Sequence, residues 1–343
     1  MQLTDRHVAT SPSLVVFGCV WTVSIVLHRI AFPEQLVRPL GFVSLAMALL
    51  ALSRPHDLHF LALAVAASGA LVASELPDVA NHQYAELIID VGLLICWAPA
   101  LFGRTSGAAA SLSLVRVTVI GMYAWAVLHK LNTSYLDVDV SCGTHVWDTT
   151  AGRLPFVGDI DLLRRAVIPA SFVLELIIPL LLCLRRWRIV GIAVGLLFHG
   201  VLAVVPLHGV SSFSGLMVAT YAAFLTEAQA AQVIDVVSSF VVRVHLHRLR
   251  VPWLLAVLPL TLAAVVIAHV SPLTNVRLAR VVAALIALSS LAAVCLLARR
   301  SAEFRRAGPP VGPATGQVLA RSMSVAVGVI VLVSGALPYL GHR

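Results

Sequence analysis

The chain has 343 residues, of which 59% are hydrophobic and only 12% are charged, and its mean hydropathy is +0.95. An ordinary soluble domain carries roughly 25% charged residues, so this composition excludes a soluble globular protein and predicts an all-α integral membrane protein, a polytopic helical bundle. The net charge of +8 comes from arginines in the loops between apolar runs, so it indicates membrane topology and predicts no nucleic-acid partner.

Apolar runs recur along the whole chain at the length of about 17 to 25 residues that crosses roughly 30 Å of hydrocarbon. They predict about eleven transmembrane helices, within a range of nine to eleven, because the eighth run is short and the stretch 228–250 is typical of a helix lying in the membrane interface. The first run is too long for the apolar core of a secretory signal peptide. The predicted spans are 14–32, 37–53, 58–75, 83–102, 112–130, 167–184, 189–206, 212–226, 252–270, 278–298 and 318–340.

Arginines in the short loops set the predicted orientation. With the N-terminus in the cytoplasm, the arginine-rich loops around Arg185 and Arg299 lie inside, whereas the acidic loops around Glu75 and Asp137 lie outside. The chain is therefore predicted to be a multi-pass protein of the cell membrane. The cysteines fall inside apolar runs, except for Cys142 in a loop, so no structural disulfides are expected.

Ionisable side chains within the spans are the functional candidates, because burying one at mid-bilayer costs at least about 2.5 to 3.5 kcal/mol. Lys130, at the outer end of the fifth span, is the single lysine among 24 lysines and arginines. Arginine stays protonated in proteins, whereas a desolvated lysine can lose its proton and act as a base. Lys130 is therefore a candidate catalytic base. The alternative is a lysine that merely extends to the interface, a role that arginine would serve equally well.

His82, Glu86 and Asp90 are spaced by four residues at the outer start of the fourth span, so they share one helical face. This face is predicted to point into the bundle, where a carboxylate can fix the tautomer of a histidine. We expect Glu86 to orient His82, with Asp90 and Tyr84 nearby as binding residues. Asn81 is either part of this site or the N-cap of the helix.

Two later spans add further candidates. Glu175 in the sixth span is expected either to pair with Lys130 or an arginine, or to be a neutral carboxyl hydrogen-bonded to a neighbouring helix. His199 in the seventh span is either a core histidine or a site residue, and the serine-rich segment around Ser214 is typical of a helix start. The sequence lacks HExxH and GxSxG motifs, so neither a metal site nor a serine hydrolase is predicted.

Three segments, in the same order and at similar separations, resemble the HTTM superfamily, whose best-known member is the vitamin K-dependent gamma-carboxylase. Asn-His-Gln-Tyr at 81–84 is similar to the family's Asn-His-Ser-Tyr. Tyr-Ala-Trp-Ala-Val-Leu-His-Lys-Leu-Asn at 123–132 is similar to its Tyr-x-x-Ala-Gly-x-Lys-Lys-Leu-Asp. Phe-His at 198–199, with Phe-Ser-Gly-Leu-Met at 213–217, is similar to its Phe-His-x-Met and Phe-Ser helix pair. The resemblance covers 1–226.

The resemblance implies that Lys130 is the base that deprotonates a hydroquinone and that His82 assists carbanion chemistry. It implies reduced vitamin K or menaquinol as cofactor, with CO2 and O2 as co-substrates, and no metal. The candidate catalytic residues are Lys130, His82 and Glu86. The candidate substrate-binding or cofactor-binding residues are Asn81, Tyr84, Asp90, Tyr123, His129, Glu175, His199, His208, Phe213 and Ser214.

The chain departs from the carboxylase pattern in two ways. Val127 and His129 replace a glycine and the first of two lysines, and three further apolar spans follow in place of the large lumenal domain. Size and architecture are equally similar to the compact bacterial branch of HTTM proteins, which includes the sporulation-delaying-protein B family that takes part in maturing secreted antimicrobial peptides. We therefore expect an HTTM-like core at 1–226 in a bacterial inner membrane and a C-terminal appendage of about three helices at 227–343.

Two functional hypotheses follow. The first is a membrane enzyme, a quinol epoxidase-like or carboxylase-like lyase, in which Lys130 and His82 abstract a proton from a quinol and modify a peptide or lipid at the extracytoplasmic leaflet. The second is a non-catalytic membrane protein that binds lipid or peptide, such as a partner in antimicrobial-peptide maturation or export. Transport is a weaker hypothesis, because the sequence lacks internal repeats with broken helices at matching positions.

Overall fold

The computed structural model describes residues 11–102, 108, 111–151, 160–203 and 208–243. Within these ranges every regular element is a helix. The α-helices are α1 (Pro12–Ala31), α2 (Pro33–Leu36), α3 (Pro39–Ser53), α4 (Leu58–Ser74), α5 (Asn81–Leu101), α6 (Ser111–Lys130), α7 (Thr133–Leu136), α8 (Cys142–Ala151), α9 (Asp161–Cys183), α10 (Arg188–Ala203), α11 (His208–Tyr221) and α12 (Glu227–Arg243), with a 3-10 turn at Ala222–Phe224.

Helix α1 lies at the centre of the bundle. Pro12 occupies its first position, and the hydroxyl of Ser11 accepts a hydrogen bond from the Leu14 N–H at 3.4 Å, which caps the helix. Trp21 is fully buried, and α1 packs against α3, α11 and α12. Its last turn therefore carries Arg29 into the interior, where this side chain has no exposed surface.

Helices α3, α4 and α5 follow as neighbours joined by short turns. The carboxylate of Asp57 accepts a hydrogen bond from the His59 N–H at 2.9 Å and caps α4. Helix α4 approaches α5 at Gly69, where an added Cβ would lie 3.3 Å from the Asp90 Cβ. Because glycine carries no side chain, the α4 backbone lies directly against Asp90.

Helix α10 packs between α9 and α11. Gly195 of α10 faces Tyr221 at the end of α11, and a Cβ at this position would overlap the tyrosine ring. The glycine thus lets a large aromatic residue pack against the helix backbone.

Helix α12 begins directly after Thr226 and returns to the start of α1. The Thr226 hydroxyl accepts a hydrogen bond from the Gln229 N–H at 3.3 Å, and the Gln229 side chain accepts one from the Thr226 N–H at 2.9 Å. Glu227 accepts hydrogen bonds from the N–H and the hydroxyl of Ser13 at 3.0 and 2.5 Å. The start of α12 and the start of α1 therefore lie at the same end of the bundle.

The prediction of an all-helical chain is confirmed for the described residues, and each predicted span from 14–32 to 212–226 overlaps a helix. Four of these helices are long and apolar enough to cross a membrane: Pro12–Arg29, Asn81–Leu101, Ser111–Lys130 and Asp161–Cys183. Four apolar helices are shorter: Pro39–Ser53, Leu58–Ser74, Arg188–Ala203 and Ser212–Phe224. The predicted spans at 252–270, 278–298 and 318–340 lie outside the described residues.

Three predicted helix starts need correction. Helix α9 begins at Asp161 instead of residue 167, because its first turns mix leucine with charged residues and fall outside the apolar run. Helix α11 begins at His208, so the serine-rich segment lies within the helix and does not start it. Asn81 is the first residue of α5 and not its N-cap, because Ala80 holds that position, where its N–H donates to the Gln83 side chain at 2.8 Å.

Candidate functional site

Lys130 forms an ion pair with Glu175 between α6 and α9. The two side chains are each 14% exposed, and the Lys130 Nζ lies 2.5 Å from the Glu175 Oε1. Glu175 lies well inside α9, about 21 Å along the helix axis from its first residue at 1.5 Å per residue. The lysine therefore turns toward a carboxylate on an apolar helix and does not extend away from the bundle.

The surroundings of this pair are aromatic and apolar. The Lys130 Nζ lies 5.1 Å from the centre of the Tyr135 ring, a cation–π distance. The Tyr135 hydroxyl shares a hydrogen bond with the Ser171 hydroxyl of α9. The second oxygen of Glu175, Oε2, is buried without a hydrogen-bond partner among the described residues. The ion pair therefore has one open position, on the carboxylate side.

A cleft of about 370 Å³ opens beside Lys130, between the end of α6, the α7 segment and the first half of α9. Its walls are mostly apolar, and Arg165 is the second basic side chain on them. The lining residues are Lys130, Leu131, Leu136, Val138, Arg165, Ile168, Pro169 and Phe172. The volume suits part of a lipid-soluble ring compound or of a lipid chain.

A buried hydroxyl–imidazole cluster joins α6, α10 and α11. The Tyr123 hydroxyl is hydrogen-bonded to the His199 Nε2 at 3.0 Å and to the Tyr221 hydroxyl. His199 is 1% exposed, and its Nδ1 has no partner within the described part of the chain. His199 is thus only half satisfied as a core histidine.

A separate polar network surrounds Arg29 in the interior of α1–α5. The Arg29 guanidinium donates to the Ser68 hydroxyl at 2.9 Å, to the Ser44 hydroxyl at 3.3 Å and to the Gln35 side-chain oxygen. The same guanidinium lies 3.5 Å from the Glu86 Oε1. Four different helices therefore compensate the charge of this fully buried cation and accept its hydrogen bonds.

Glu86 and Asp90 form the acidic part of this network. Glu86 accepts a hydrogen bond from the Ser68 hydroxyl at 2.7 Å, and its Oε2 lies 3.6 Å from the His28 Nδ1. That nitrogen is also 2.9 Å from the Ser212 hydroxyl. Asp90 accepts a hydrogen bond from the Trp21 indole at 3.0 Å through Oδ1, while its Oδ2 is buried without a partner among the described residues.

His82 lies at the edge of the Arg29 network. Its ring centre is 5.9 Å from that of His28 and 6.3 Å from that of Phe213, which in turn lies 5.3 Å from His199. The Nε2 atoms of His28 and His82 are buried and have no partner in the described ranges. A row of aromatic and imidazole rings therefore connects the Arg29 network with the Tyr123 cluster.

The remaining predicted binding residues lie at the edges of these clusters. The Tyr84 hydroxyl donates to the Pro77 carbonyl at 3.3 Å, and His129 stacks on Trp125 with ring centres 5.6 Å apart. Ser214 is buried and donates to the backbone of its own helix. Asn81 is exposed at the start of α5. His208 begins α11, and its side chain lies outside the described set.

The structure groups the sequence-derived candidates differently from the expectation. Lys130 is paired with Glu175, one of the two alternatives for that carboxyl, and belongs to a cluster separate from that of His82. Glu86, expected to orient His82, is instead held by Arg29 and lies closest to His28. All three residues of the His82, Glu86 and Asp90 face are buried, as the spacing of four predicts.

Sequence reasoning missed His28 and Arg29. Both lie within the predicted span 14–32, where an arginine in an apolar run is itself a signal of a buried, paired charge. Averaged hydropathy concealed them, because the span as a whole remains strongly apolar.

Comparison of the chain with protein-family models, with curated proteins and with solved structures finds no match. Among the described residues, no group of three histidine, cysteine or acidic side chains is arranged to hold a metal ion.

Proposed function

We propose that the chain is a multi-pass membrane enzyme in which Lys130 accepts a proton from a lipid-soluble hydroquinone. The observation that carries the proposal is the Lys130–Glu175 pair, largely buried at the wall of an apolar cleft. The resemblance of 1–226 to HTTM proteins supports the same assignment, because Lys130 falls at the family's lysine.

The membrane part of the proposal places about eleven spans across a bacterial inner membrane, with the N-terminus in the cytoplasm. The apolar helices support it, as does the distribution of charge between the two ends of the bundle. Ser13 and Glu227 share the cytoplasmic end with the arginine-rich turn after α9, whereas the Arg38–Glu75 pair, at 3.1 Å, lies at the outer end. The Lys130 cleft then faces the extracytoplasmic leaflet.

The ion pair supplies a route to a neutral amine. In a site of low dielectric constant, charge separation is costly, so the proton of the Lys130 ammonium can move to Glu175 across their 2.5 Å contact. The neutral amine then accepts the proton of a hydroxyl group in the cleft. Rotation of the Glu175 carboxyl would bring the protonated oxygen to the unpartnered Oε2 position, from which the proton would leave.

Reduced vitamin K or menaquinol fits these residues. The apolar walls around Phe172 suit a fused ring, and Lys130 lines the same cleft, where its amine would face a bound ring hydroxyl. When bound, a quinol would supply the acidic hydroxyl and the reducing electrons, with CO2 and O2 as co-substrates. The resemblance gives His82 an assisting role, whereas in the structure its ring lies beside His28, at the edge of the Arg29 network, and does not line the Lys130 cleft.

Quinol turnover by the purified protein in nanodiscs tests this proposal. We expect wild type to oxidise the quinol and to fix CO2 onto an acceptor. Lys130→Arg keeps a cation opposite Glu175 but removes the base, so it should abolish turnover while leaving quinone binding in place. The absence of turnover in a folded, quinone-binding wild type would contradict the proposal.

A second candidate function is non-catalytic binding of an anionic lipid or peptide. It is favoured by Arg165, which adds a second positive charge to the wall of the cleft next to Lys130. A binding site of this kind accepts arginine in place of Lys130. If Lys130→Arg binds the anionic lipid or peptide as tightly as wild type does, and cells carrying it behave like wild-type cells, non-catalytic binding is favoured over catalysis.

A further inference from the structure

A second acidic site lies in the α1–α5 interior, outside the Lys130 cleft. Asp90 has no exposed surface, and the α4 backbone at Gly69 closes one side of it. Its Oδ1 accepts the Trp21 indole N–H, and its Oδ2 has no partner in the described part of the chain. An ionised carboxylate would therefore bury a charged oxygen without a hydrogen bond, which is among the most costly arrangements in a protein interior.

The buried network around Asp90 holds one fixed cation and two carboxyl groups, so it is electrically neutral only if it binds one further proton. Arg29 is the fixed cation of the network, and its guanidinium lies against Glu86, not Asp90. Glu75 at the rim pairs with Arg38 at 3.1 Å and accepts a hydrogen bond from the Gln35 side chain at 2.8 Å, so its charge is already compensated.

The other polar groups that face this interior are neutral or titratable, and they come from α1, α2, α3, α4, α5 and α11. They are His28, Gln35, Ser44, Ser68, His82 and Ser212. With both Glu86 and Asp90 ionised, the buried network would hold an uncompensated negative charge.

We propose that Asp90 is a proton-binding site: its Oδ2 carries a proton taken up from water at the outer end of the bundle. His82 is the second residue of α5, and its ring centre is 5.9 Å from that of His28. His28 in turn contacts Glu86, the carboxylate next to Asp90 on the same helix face. The unpartnered Nε2 atoms of both histidines are the acceptors that a proton uses on its way inward.

This site is independent of the proton abstraction at Lys130. One proton enters from water, one O–H bond forms on Asp90, and no other bond changes. The protein then carries a carboxylic acid in its interior near neutral pH. Proton uptake at Asp90, where α1, α4 and α5 meet, couples the arrangement of these three helices to the pH of the outer compartment.

Infrared spectroscopy of the full-length protein in maltoside micelles tests the proposal, because these detergents carry no ester carbonyl. The expected result is the carbonyl stretch of a protonated carboxylic acid in wild type near neutral pH. The band should disappear in Asp90→Asn and persist in Glu175→Gln, the matched change in the other carboxyl cluster. A missing band in wild type, or a band in Glu175→Gln that is unchanged when Asp90→Asn is added, overturns the proposal, since Glu175 contributes no carboxylic-acid band in that background.

A second variant keeps the test decisive if Asp90→Asn does not fold. Trp21→Phe removes the indole donor to the Asp90 Oδ1, which is the carbonyl oxygen of the protonated acid. The band should remain and move to higher frequency, because the C=O bond of a carbonyl strengthens when it loses a hydrogen bond. An unmoved band in folded Trp21→Phe places the proton elsewhere and overturns the assignment to Asp90.

Discussion

Replacing Glu86 by glutamine should destabilise the protein, whereas replacing Asp90 by asparagine should not. Both changes turn a buried carboxyl into an amide of nearly the same size on the same face of α5. Glu86 is the carboxylate within contact of the Arg29 guanidinium, at 3.5 Å. Its neutralisation leaves a cation with no exposed surface and without the carboxylate that contacts it, a change that costs about 3 to 5 kcal/mol.

The expected cost lies at the lower end of that range. The guanidinium keeps its hydrogen bonds to Ser44, Ser68 and Gln35, so only the charge compensation is lost. We therefore expect Glu86→Gln to lower the free energy of unfolding by about 3 kcal/mol. Asp90→Asn exchanges one neutral group for another and should change it by less than about 1 kcal/mol.

Reversible unfolding in mixed micelles, followed by helical circular dichroism against the fraction of dodecyl sulfate, measures both values. Ser212→Ala serves as a control that removes a hydroxyl from the same network without changing its charge. Equal stability of Glu86→Gln and wild type would refute the view that Glu86 compensates Arg29. Equal destabilisation by both amide variants would refute the distinction between the two carboxyls.

Two further predictions concern topology and packing. Cys142, at the start of α8, and Cys183, at the end of α9, are both exposed and lie at opposite ends of the bundle. In single-cysteine variants on intact cells, a membrane-impermeant maleimide should label Cys142 directly and Cys183 only after permeabilisation. Labelling of both on intact cells would contradict an orientation with the N-terminus in the cytoplasm. Gly195→Ala should destabilise the protein by about 1 to 3 kcal/mol, because the added Cβ overlaps the Tyr221 ring. In a Tyr221→Leu background, where the ring is absent, the same change should cost less. An unchanged thermal-shift midpoint for Gly195→Ala, or an equal loss of stability in both backgrounds, would contradict this prediction.

The positions of the helices follow from the sequence because apolar runs and their polar ends are local signals. Pro12 and Pro39 at first helical positions, and Asp57 as an N-cap, are local signals of helix starts that can be read from the sequence alone. The start of α9 was missed because Asp161 and its charged neighbours extend the helix beyond the apolar run. Arg164 in these first turns pairs with Asp148 of α8 at 2.9 Å, a tertiary contact that the apolar pattern does not record.

The composition of the candidate sites could be predicted only in part. The spacing of His82, Glu86 and Asp90 predicts a shared buried face, since helical periodicity alone determines it. Which helix packs against that face depends on long-range contacts, so the partnership of Glu86 with Arg29 could not be read from spacing. The pairing of Lys130 with Glu175 remained one of two alternatives for the same reason.

Chemical rescue tests the central claim, the role of Lys130 as a base, most directly. The measurement is quinol turnover by Lys130→Ala in nanodiscs, with primary amines of increasing basicity added to the medium. We predict that the variant is inactive alone, and that small amines restore turnover at rates that rise with their basicity. Turnover by Lys130→Ala equal to that of wild type without any amine would contradict the account.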